Sequence, residues 1–165
     1  MVFKNEKQLE NFLLKKCQSA LLKAQGRAYE IIKRFLDQFY ADYDPHEGGK
    51  FGYDRTYQLL NSLVKQQIVH DGKGYKAEIY FDLGSLRYSK YAWQGGNVPT
   101  GEQVFEAAKQ GLHGAIGDAG GGYQFHYEHG NAGVNIWRDP IRELDTKAIN
   151  ILVDMLRAEG IPIKK

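Results

Sequence analysis

Cysteine is nearly absent from this chain: Cys17 stands alone among 165 residues, which excludes an intrachain disulfide framework and a cysteine-built zinc site. Long apolar runs are absent too. None exceeds three residues, against the roughly 20 that a membrane span needs, so neither a spanning helix nor the apolar centre of a secretory signal is expected. Charge of one sign is also lacking: 22 Lys and Arg face 20 Asp and Glu, a net +2, too little to argue for nucleic acid from composition alone. With 42% hydrophobic and 25% charged residues, wholesale disorder is not expected. The length suits one domain. Glycine and tyrosine are present in excess, at 19 and 11 residues.

Residues 5–42 predict a helix without an internal proline. Asn5 and Gln8 have capping-box spacing. Leu9, Leu13, Cys17, Ala20, Ala24, Ala28, Ile31, Phe35 and Phe39 recur at steps of three and four, with Leu14, Leu21, Leu22 and Ile32 widening the stripe. A helix of this length spans about 57 Å at 1.5 Å per residue, whereas a compact domain of this size has a radius of gyration near 15 Å. Either the helix breaks near Gly26, or it overhangs as an arm (residues 1–42) whose apolar stripe a second subunit covers. Leu14 and Leu22 are the candidate contacts.

A short helix or turn is expected at 55–61. Two paired strands follow, over 63–70 and 75–82, around the turn Asp71-Gly72-Lys73-Gly74. In the second, Tyr75, Ala77, Ile79 and Phe81 alternate with polar neighbours, the pattern of a sheet with one covered face. Leu86–Trp93 is a further strand candidate. Thr100 and Gln103 mark the start of a helix to about Leu112. The stretch 111–122 is so rich in glycine that no regular structure is expected there, and 114–122 reads as a mobile loop that orders on assembly. Residues 123–128 carry a weak strand pattern. Asp139-Pro140 reads as the cap and first-turn proline of a last helix that ends at Glu159, before Gly160 and Pro162. The order predicts a single α+β domain over residues 1–165.

Chemistry has little to build on. His126, Glu128 and His129 are proper zinc or iron ligands, but on a strand His126 and Glu128 share a face that His129 does not. His113 or Asp118 would have to complete such a site. The glycine stretch lacks the Gly-Lys-Ser/Thr ending of a phosphate loop. Cys17 sits on the apolar stripe, where an inert thiol is the default. Neither Ser62 nor Ser85 has a hydrolase elbow around it. No catalytic residue, cofactor or bound metal is expected. Residues 1–36 carry eight Lys or Arg and three Glu, a balance of +5 that leaves −3 for the rest. Such a helix face could touch phosphates.

The passage Tyr53-Asp-Arg55-Thr56-Tyr-Gln-Leu59-Leu60-Asn-Ser62 resembles one common in small neck and tail-completion proteins of tailed bacteriophages. Asp44-Pro45 ahead of it, Gly111-Leu-His113-Gly114 after a helix, Trp137-Arg-Asp139-Pro140 and the final Gly160-Ile161 are similar as well. Many members carry Thr-Gly where this chain has Thr56-Tyr57. Tyr53, Arg55, Thr56, Leu59 and Ser62 would form a structural corner, the leucines anchoring it and the hydroxyls satisfying local backbone groups.

The resemblance implies a virion structural protein made in the host cytoplasm, a tail-completion or head–tail connector subunit that forms a homo-oligomeric ring at the neck. Its partners would be further copies of itself, the tail tube and neck or connector proteins, with weak contact to packaged DNA and none to membrane. His113, Gly114, Ile116 and Gly120 join Leu14 and Leu22 as interface candidates. The alternative from another class is a small metal-dependent hydrolase built on His126, Glu128 and His129.

Overall fold

Local signals start the first helix where the sequence places it. Asn5 Oδ1 accepts from the backbone N–H of Gln8 at 2.9 Å, and Gln8 Oε1 accepts from that of Lys4 at 3.0 Å, so side chains satisfy donors the first turn leaves open. In the computed structural model, which describes residues 3–41, 58–70, 72, 74–86, 100–109, 115–117, 123–125 and 135–163, helix α1 then runs unbroken over Glu6–Ala41. Gly26 does not interrupt it; a methyl group there would meet no other atom within 4 Å.

The remaining elements are α2 (Gln58–Asn61), β1 (Leu63–Lys65), β2 (Val69–His70), β3 (Tyr75–Lys76), β4 (Ile79–Phe81), a 3-10 turn at Leu83–Ser85, α3 (Gly101–Lys109), β5 (Ala115–Gly117), β6 (Tyr123–Phe125) and α4 (Arg138–Ala158). The protein is an α+β fold. Strand β1 pairs with β4, β2 with β3 and β5 with β6. The two continuous strands expected over 63–70 and 75–82 are thus each cut in two. β2 and β3 are antiparallel, with Val69 opposite Lys76 and His70 opposite Tyr75, and Gly72 in the turn takes a positive φ of 86°, open to glycine at little cost.

Two sequence expectations are corrected. The glycine stretch is not devoid of regular structure: Ala115, Ile116 and Gly117 pair antiparallel with Phe125, Gln124 and Tyr123. A strand ladder is made by backbone groups, which glycine possesses like any other residue. The cap of α4 is Asn135, not Asp139: Asn135 Oδ1 accepts from the backbone N–H of Trp137 at 3.0 Å and of Arg138 at 2.7 Å. Asp139 reaches back instead, its Oδ2 accepting from Asn135 N–H at 2.7 Å. Leu86, just past the 3-10 turn, is extended, with φ −76° and ψ 115°; the rest of the strand candidate Leu86–Trp93 lies outside the described residues.

Helix α3 has the expected box, with Thr100 and Gln103 exchanging hydrogen bonds at 2.9 and 3.3 Å. Helix α4 ends at Gly160, whose φ is 81°. The N–H of Ile161 reaches the carbonyl of Leu156, and that of Gly160 reaches Arg157, a Schellman closure.

The chain divides into two compact units. The first comprises 1–31, 65–80 and 143–165; the second comprises 32–64 and 81–142. In the second, Leu36, Phe39, Leu59, Leu63, Leu86, Phe105 and Ile136 are buried. Phe105 stands 4.8 Å from Phe81 and edge-on to Trp137 at 5.7 Å, and the Lys109 ammonium lies 5.5 and 5.6 Å from the Phe105 and Trp137 rings. The first unit is built differently. Among its described residues the only buried apolar side chains are Ala20 and Ala24.

Candidate functional site

The first unit is held by polar groups rather than by a large apolar core. Lys16, Ser19 and Lys23 share one side of α1, as positions i, i+3 and i+7 must. All three donate to Glu159, which follows the last turn of α4: Lys23 at 2.5 Å, Ser19 at 2.7 Å and Lys16 at 3.1 Å. A carboxylate at a helix C-terminus opposes the macrodipole. Here the Lys23 hydrogen bond, aided by those from Ser19 and Lys16, holds the carboxyl well below the usual range, at about 2.

Large apolar side chains are left outside. Leu9, Leu13, Leu22, Val69, Tyr80 and Ile149 are exposed, Leu22 to 58% and Ile149 to 77%. Scattered exposed leucines are ordinary on a protein surface. Here they belong to a unit whose buried apolar residues, among the described ones, are both alanines, so its larger described side chains lie at the surface or half in it. Leu14, singled out with Leu22 from the sequence, is half-buried. Of the other exposed residues, Leu9 and Leu13 lie on the stripe the spacing reveals, whereas Ile149 carried no distinguishing signal.

The corner motif lies in the second unit. Ser62 is fully buried; its hydroxyl donates to the Leu59 carbonyl at 2.7 Å, and its own carbonyl accepts from Asp82 N–H at 2.7 Å. Leu59 is buried beside it in sequence and Leu60 half-buried. Tyr53, Arg55 and Thr56 lie outside the described residues, as do His113, Gly114, Gly120, His126, Glu128 and His129. Ile116 is in β5, opposite Gln124. Among the described residues no group of three or more His, Cys, Asp or Glu is placed to hold a metal ion, and no helix is long and apolar enough to cross a membrane.

No family model, curated protein or solved structure matches the chain.

Proposed function

We propose that this protein is an assembly subunit of a tailed-phage virion, joining copies of itself into a ring at the neck or the head-proximal end of the tail. The observation that carries the reading is that the first unit leaves several large apolar side chains uncovered, Leu9 and Leu13 on one side of α1 and Leu22 on the opposite side, about 180° from Leu13. Burying such a side chain completely stabilises by about 1.5–3 kcal/mol, so a neighbouring copy that covers several gains what the isolated chain leaves unused. Helix α1 is unbroken, as the arm reading requires, although Ala20, Ala24, Leu36 and Phe39 are buried along it. The Ser62 hydroxyl donates to the Leu59 carbonyl, the local backbone contact expected of the corner motif.

The test is genetic and microscopic. Deleting the coding sequence from the phage that carries it should yield filled heads and separate tails that do not join, and supplying the protein in trans should restore joined particles. Normal particles from the deletion would overturn the reading.

A further inference from the structure

We propose that the exposed stripe Lys4, Lys7, Asn11, Lys15 and Gln18, at the N-terminal end of α1, is a docking surface for duplex DNA. Lys7, Asn11, Lys15 and Gln18 step by three or four residues and so lie along one side of α1, and Lys4 stands just before its first turn. All five are exposed. None of the three lysines forms an ion pair with a described residue, whereas Lys16 and Lys23, more than about 100° further round the axis at 3.6 residues per turn, are committed to Glu159. The acids of this end, Glu6 and Glu10, also fall about 100° or more from the midline of the stripe. The stripe is therefore cationic and amide-bearing, with no carboxylate in it.

Its composition selects the partner. Protein interfaces draw their energy from aromatic, arginine and apolar anchors and are depleted in lysine; this stripe holds none of those anchors before Leu22. Lysines are instead the groups that neutralise phosphates. Asn11 and Gln18, interleaved with them, carry the paired donor and acceptor that adenine edges match. From Lys7 to Gln18 the helix rises about 16 Å, and the major groove, about 12 Å wide, admits an α-helix. The proposal does not rest on the ring reading.

Fluorescence anisotropy of a short labelled duplex with the full chain, over a series of salt concentrations, tests it. Each phosphate neutralised contributes about 0.9 to the slope of log affinity against log salt. The triple variant Lys4→Gln, Lys7→Gln, Lys15→Gln should therefore lose about 2.7 of the wild-type slope, with its helical circular dichroism and its sedimentation unchanged. Lys147→Gln, bound to Glu143 on α4, should keep the full slope. Equal slopes in wild type and triple variant, or no measurable binding at low salt, would overturn the proposal. Displacement by polyglutamate as effective as by DNA would also overturn it and name an acidic protein as the occupant. Unchanged sedimentation of the triple variant separates a failure here from a failure of the ring.

Discussion

The carboxamide nitrogen of Gln25 donates to two carbonyl oxygens at once, that of Gln66 at 2.8 Å and that of Glu78 at 2.9 Å. Those carbonyls lie where the hairpin is cut, between the β1–β4 and β2–β3 pairings, and Glu78 O also accepts from Gln66 N–H at 2.9 Å. A buried glutamine of α1, 5% exposed, thus supplies the donor for Gln66 O that a continuous ladder would have supplied, and a second donor for Glu78 O.

Gln25→Leu keeps most of the volume and removes both bonds. It should destabilise the fold by about 1–3 kcal/mol, the cost of leaving the Gln66 carbonyl without this donor, while Glu78 O keeps its bond from Gln66 N–H. Urea denaturation reads the loss. Amide exchange at Gln66 should accelerate in the same variant.

Three glycine-to-alanine changes should differ in sign. Gly26→Ala meets no neighbouring atom within 4 Å and should stabilise α1 by about 0.5–1 kcal/mol. Gly160→Ala forces a side chain into a positive φ of 81° and should cost about 1–2 kcal/mol. In Gly101→Ala the new Cβ collides with the Leu83 carbonyl oxygen, so α3 must shift, at about 1–3 kcal/mol. Thermal melts of the three variants rank them.

Glu159 makes stability depend on acid. Its folded-state value, about 2, lies below the ordinary 4.5, so the unfolded chain binds its proton first as pH falls. The stabilisation is fully present above about pH 4.5 and is lost as pH drops towards 2. Glu159→Gln should flatten the melting temperature over that window. A wild-type curve and a variant curve that run parallel there would contradict the assignment.

Much of this was legible because it is local. The caps of α1 and α3, the positive-φ glycines and the stop at Gly160 each need only residues a few positions apart, and spacing reveals them. Gln25 was not legible as a bridge: its partners are 41 and 53 positions away, and only its place among apolar stripe residues hinted at burial. Asn135 lost to Asp139 in the reading because Asp-Pro is a strong local sign, while the cap that forms is set by two backbone donors. The strand at Ala115–Gly117 was hidden because glycine gives no side-chain alternation to read.

Asn135→Ala should therefore cost more than an ordinary surface change. It removes the acceptor for two N–H groups of α4 and the 2.6 Å bond from its Nδ2 to the Lys109 carbonyl. A loss of about 1–3 kcal/mol is expected, whereas Asp145→Ala, exposed on the same helix, should change stability by less than about 0.5. Paired denaturation curves decide it.

Native mass spectrometry of the purified chain, beside a Leu22→Glu, Ile149→Glu double variant, tests the assembly claim most directly. Both side chains are exposed, to 58% and 77%, so the charges should not disturb the subunit's own packing. The wild type should give one closed multiple of the subunit mass, and the double variant should give folded monomer. A wild type that stays monomeric at every concentration, or a double variant that forms the same multiple, would contradict it.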